Sequence, residues 1–120
     1  MKMAQVTIRT NKYEEEVRFY QENVGLQIQR QIHEGPLNIV FLADEKGDTC
    51  IEVIQTEGAE TAGNPFLSIG FRTMDAERIR QQLRASGYDV SEMESPAPAV
   101  SFFFVNDPAG IKVQFVEERL

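Results

Sequence analysis

The chain has no tryptophan, one histidine and one cysteine in 120 residues. A single cysteine cannot form an intrachain disulfide, so the fold must rest on its core, as suits a reducing compartment. Neither CxxC nor HxxxH occurs, which removes the commonest zinc-binding spacings. Cys50 lies in a strand pattern with no basic neighbour and reads as a buried structural thiol rather than a nucleophile. No apolar run is long enough to span a bilayer, and the segment Met1–Gln5 lacks the apolar core of a signal peptide. A cytoplasmic protein without a membrane partner is the expectation. Positive charge is also scarce, with 12 Lys and Arg against 19 Asp and Glu, for a net charge of -7. This argues against a nucleic-acid surface, which needs clustered cations. A small organic molecule remains, even an anionic one if a single arginine supplies the local field.

What is present is a repeat. With 42% hydrophobic and 26% charged residues, the chain has the composition of one globular domain with a true core. The repeat divides it into modules 1–55 and 65–120, joined by a Gly-, Ala- and Thr-rich linker at 56–64. Val6, Ile8 and Thr10 alternate with polar residues as a half-buried strand does. Asn11, with Glu14 three residues on, has the form of a helix N-cap and capping box. Tyr13, Val17, Tyr20 and Val24 then form an apolar stripe that ends at Gly25. Strands are expected at 26–32, 37–42 and 49–55. The second module repeats the order with a strand at 66–73, a helix capped by Asp75 and ending at Gly87, and a weak strand at 88–93. A proline-stiffened loop at 95–99 and strands at 100–105 and 111–116 complete it. Each module is βαβββ. Two of them make an α+β architecture with curved mixed sheets, whose faces away from the helices can form a cavity.

Several segments carry a family resemblance: Arg18-Phe19-Tyr20, Val24-Gly25-Leu26, Ile51-Glu52-Val53, and the run from Phe103 to Val116 through Asp107-Pro108-Ala109-Gly110. On these the chain resembles the vicinal oxygen chelate superfamily, which includes glyoxalase I, bleomycin-resistance proteins and extradiol dioxygenases. The resemblance spans essentially the whole chain. It implies the glyoxalase/bleomycin-resistance fold and a homodimer. In metal-dependent members four strands each give one ligand. Those positions fall on Gln5, Glu52, Ser68 and Gln114, so one carboxylate and no imidazole remain. Neutral amides and hydroxyls are poor ligands for Zn²⁺ or Ni²⁺, and Gln114 cannot serve as the base that a glutamate provides there.

No cofactor is therefore expected, although Gln5, Glu52 and Gln114 would be the ligands if a divalent metal were held. The expected function is binding of a small organic molecule through Gln5, Arg9, Glu52, Ser68, Arg72 and Gln114. Glu52 is the candidate catalytic residue of the alternative, a divergent metal-dependent glyoxalase I-like lyase or isomerase. Blander roles stand beside these. Glu52 is also consistent with a solvated edge residue or an ion pair to Arg9 or Arg72, and either arginine with a surface salt bridge or a rim residue. His33 belongs to an exposed turn, or faces the cavity if the strand runs through it. Of Phe102, Phe103 and Phe104, at least one must face away from the core.

Overall fold

The computed structural model describes residues 1–59 and 66–119, so the linker expected at 56–64 lies partly outside them. The chain forms two compact units, Met1–Thr61 and Ala62–Leu120, and each has the βαβββ order. The first contains β1 (Gln5–Thr10), α1 (Tyr13–Phe19) running on into a π-helical turn (Tyr20–Val24), β2 (Gln27–Glu34), β3 (Leu37–Ala43) and β4 (Cys50–Gln55). The second contains β5 (Ile69–Arg72), α2 (Ala76–Ala85), β6 (Glu94–Ala97), β7 (Val100–Asn106) and β8 (Lys112–Glu118). The sheet orders are β1-β4-β3-β2 and β5-β8-β7-β6. In both, the first strand runs parallel to the last while the remaining pairs are antiparallel.

Strand alternation gives each sheet two chemically different faces. In the first unit Ile8, Val40, Leu42, Ile51 and Val53 are buried on one face, and Phe19 and Tyr20 from the helical segment are buried with them. In the second unit Phe103, Val105, Val113 and Phe115 play that part, with Ala76 and Leu83 from α2. Each of the Ile, Leu, Val and Phe side chains contributes roughly 1.5–3 kcal/mol through burial. Gly25 ends the first helical segment with φ 84°, a left-handed conformation in which its amide and that of Leu26 both donate to the Tyr20 carbonyl.

Three expectations need correction. Asn11 does not cap α1, because the helix begins one residue later than the capping box requires. The residue at the cap position is Lys12, without a side-chain cap bond, and its amide donates to Thr10 Oγ1 at 3.0 Å. The segment 88–93 is not a strand and meets β7 through the bridge of Val90 to Val105 and the hydrogen bonds between Ser91 and Phe104. The proline-containing stretch read as a loop instead supplies β6. Its place at the end of the sheet order explains this, since an edge strand tolerates a residue without an N–H.

Asp75 does cap α2, its carboxylate accepting from the Arg78 amide at 3.1 Å. Asp75→Ala should therefore cost about 1 kcal/mol in a denaturant titration. Asn11→Ala should change stability by a few tenths of that at most, and equal losses at the two sites would contradict the cap assignment.

Candidate functional site

The sheet faces turned away from the helices carry the candidate residues Glu52 and Gln114. In the first unit the register sets Thr7 opposite Glu52, Glu52 opposite Phe41, and Phe41 opposite Arg30. One row thus crosses all four strands. Thr7 Oγ1 donates to Glu52 Oε1 at 2.7 Å, the short distance expected when the acceptor is charged. Gln5 Nε2 donates to the same oxygen at 3.4 Å. The Arg30 guanidinium lies over the Phe41 ring, 4.3 Å from its centroid, within the range of a cation–π contact. Phe41, Ala43 and Cys50 are buried together, with Ile32 and Ile39 against them. The result is an apolar floor with one carboxylate held at its edge.

Of the residues read from sequence, Gln5, Arg9 and Glu52 share this face, Arg9 pairing in register with Ile54. Thr7 and Arg30 belong to the same row and were missed. Thr7 was detectable, since it alternates in step with Gln5 and Arg9. Arg30 was not, because the β2–β3 register shifts between Ile28 and Arg30. Ile28 therefore faces Leu42 on the helix side although it is only two residues from Arg30. The same shift settles His33. It lies in β2 rather than in a turn, on the face opposite Glu52, paired with Asn38 and hydrogen-bonded to the Asn38 side chain. Asn38 in turn donates to Gln55 Oε1 at 2.6 Å.

The second unit repeats the row with altered chemistry. Gly70 stands opposite Gln114, and Gln114 opposite Phe104. Gln114 thus takes the place of Glu52, Phe104 that of Phe41, and Gly70 that of Thr7. A methyl at Gly70 would come within 3.3 Å of Gln114 Oε1, so the glycine leaves room for the amide. Lys112 Nζ lies 4.2 Å from the Phe104 centroid, a cation over the ring as Arg30 is over Phe41, although it comes from β8 rather than from the strand equivalent to β2. Phe102 and Phe104 meet edge to face on this side, 5.7 Å between centroids, while Phe103 faces the core. Arg72 pairs with Glu118 at 3.3 Å, its own side chain 73% exposed. Such a bridge contributes little stability. Ser68 is exposed just before β5. Among the described residues, no three His, Cys, Asp or Glu side chains are grouped so as to hold a metal ion.

Burial pushes the Cys50 thiol above the ordinary range, the Glu52 charge adds to this, and Arg30 opposes it. The thiolate therefore forms at higher pH than in an ordinary thiol. Alkylation by iodoacetamide near pH 8 should run at least about tenfold slower in native than in denatured protein. Glu52→Gln should speed the native reaction by removing the nearby negative charge. Equal rates in native and denatured protein would contradict the buried placement.

The sequence model of the Glyoxalase/Bleomycin resistance protein/Dioxygenase superfamily matches residues 2–115. The chain belongs to this superfamily. Solved structures of superfamily type share its fold. A glyoxalase family protein from Bacillus cereus superposes with a TM-score of 0.83 at 17% identity, covering 100% of this chain and 95% of that one. The trypanothione-dependent glyoxalase I of Leishmania major gives 0.79 at 21%, covering 98% and 87%. TnmS3, an antibiotic-binding protein of a Streptomyces species, gives 0.76 at 18%, covering 98% and 96%. At these identities the likeness is one of fold. Among curated proteins no sequence matches the chain. No helix among the described residues is long and apolar enough to cross a membrane.

Proposed function

We propose that this superfamily member binds a small organic molecule and that its ancestral metal positions no longer suit a divalent ion. The observation that carries the reading is the state of Glu52. Its Oε1 already accepts from Thr7 and Gln5, so the Gln5 amide turns its donor toward the carboxylate, where a metal would require an acceptor. Gln114, at the equivalent place in the second unit, is neutral and has a glycine beside it rather than a hydroxyl. This donor set does not fit a resident metal, and no cofactor is proposed.

The face suits a ligand with a flat apolar part to lie along the half-buried pair Ile39 and Ile54 and a donor or cationic group to meet Glu52. Binding of an antibiotic by the TnmS3 neighbour supports a binding role on this scaffold, which hosts several unrelated chemistries. In this reading Arg9, Ser68, Arg72 and Gln114 supply further polar contacts, and Glu52 acts as an acceptor rather than a catalytic base. The protein works in the cytoplasm as a homodimer. Light scattering should then give twice the 13.6 kDa mass of the chain.

Calorimetry and thermal shift with a metabolite and drug panel, run in parallel with Ni²⁺ and Zn²⁺, test the proposal. At least one organic ligand should stabilise the protein and neither ion should. Stabilisation by an ion alone, with hemithioacetal isomerisation by the metal-loaded protein, would replace it with the lyase or isomerase reading.

A further inference from the structure

A cavity of about 210 Å³ lies in the second unit, lined by Asp89, Val90, Ser91, Phe104, Val105, Asn106 and Lys112. It involves none of the Glu52 row and does not depend on the function proposed for it. Its walls come from three pieces of chain. The segment before β6 is tied to β7, where the Ser91 amide donates to the Phe104 carbonyl at 2.9 Å and Ser91 Oγ accepts from the Phe104 amide at 2.8 Å. Behind that segment, Arg80 of α2 donates to the Ser91 carbonyl at 2.8 Å and meets Glu92 at 3.6 Å. The wall carrying Asp89 and Ser91 is therefore fixed by backbone bonds and a buried guanidinium rather than left as a free loop. Lys112 is steadied by the Phe104 ring.

The residues that line the cavity thus include an aspartate and a lysine, of opposite charge. The ion pairs of the second unit join Arg72 to Glu118, Arg80 to Glu77 and Glu92, and Arg119 to Glu117. Among the described residues neither Asp89 nor Lys112 enters one. Two opposite charges that share a cavity without closing on each other suit a ligand with both signs of its own. The Asn106 amide can both donate and accept, and Phe104 with Val90 gives the apolar wall.

We propose that this cavity is a binding subsite for a small zwitterion of the α-amino-acid class, its carboxylate toward Lys112 and its ammonium toward Asp89. The volume is below that of sites for drug-sized ligands, which restricts it to a molecule of that size or to one terminal group of a larger one.

Amide-resolved NMR titration of the full chain with L-valine, acetate and methylammonium tests this. Valine should give saturable shifts at Val90, Ser91, Asn106 and Lys112, with acetate and methylammonium each binding more weakly. Asp89→Asn and Lys112→Met should each weaken valine binding by about threefold to fivefold. Lys112→Met keeps an unbranched apolar stem over Phe104, and an unchanged spectrum away from the cavity confirms that each variant is folded. Absence of saturable shifts at these amides would overturn the proposal. So would acetate binding as tightly as valine with Asp89→Asn silent, which would make the cavity an anion site only. Failure of the Glu52 reading would instead show as no ligand shifting amides of β3 and β4, so the two outcomes are distinguishable.

Discussion

Phe103→Ala is expected to lower the unfolding free energy by about 3–5 kcal/mol. Phe103 is fully buried and stacks on Phe115, with centroids 5.4 Å apart and planes 19° from parallel. Its removal leaves a cavity beside the Phe115 ring in the buried core of the second unit. Phe102 and Phe104 are its immediate neighbours in sequence, yet they point the other way and are only partly buried. Alanine at either should cost about 1 kcal/mol, mainly the loss of their edge-to-face contact. Denaturant titration of the three single variants reads the difference directly. Losses of similar size at Phe102 and Phe103 would mean that the β7 register is misassigned.

Glu52→Gln is expected to weaken any ligand that donates to the carboxylate by about tenfold or more, the scale of a hydrogen bond to a charged group. Thr7→Val should have a smaller effect in the same direction, because it removes the hydrogen bond that positions the carboxylate without neutralising it. The combined variant should lose less than the sum, since both changes act through one oxygen. Calorimetry with the panel molecules that bind wild-type protein measures all three. Unchanged affinity in Glu52→Gln would remove Glu52 from the site. Stability should change little in either single variant, because the row lies outside the helix-facing core.

The residues that made these faces legible in advance are those with strict alternation. Val6 to Thr10 and Ile111 to Phe115 each fixed which side chains share a face, whereas the run Phe102-Phe103-Phe104 left open which ring faces the core, and the repeat fixed that Glu52 and Gln114 are equivalents. The errors share a physical cause, which is that sequence spacing does not see the partner strand. Pro96 argues against a strand unless the strand is known to lie at the sheet edge, as β6 does. Arg30 and Ile28 look like residues of one face until the β2–β3 register shift separates them, and with that shift the guanidinium over Phe41 and the true direction of His33 both follow. The Asn11 capping box failed by a single residue, because the Thr10 hydroxyl met the Lys12 amide first. The Asp89–Lys112 cavity had no signal in the sequence, since its walls meet through the bridge between Val90 and Val105 and the Ser91–Phe104 hydrogen bonds, which no residue spacing encodes.

The parallel pairing of first and last strand in each unit has a kinetic consequence. Gln5 lies beside Cys50, and Ile69 beside Val113, so neither sheet can be completed by neighbours in sequence. The antiparallel meanders β2-β3-β4 and β6-β7-β8 can form early from local contacts. The opening strand must then return across the whole intervening chain, at a loop-closure cost that grows only slowly with length but must be met before any reward. Such long-range closure places folding in the slower range for domains of this size. During synthesis β1 waits with its edge unpaired until Gln55 has emerged, and β5 repeats the wait for β8. The repeat therefore also repeats this long-range closure, and the edges of β4 and β8 left open until it occurs are where a stalled chain would meet another.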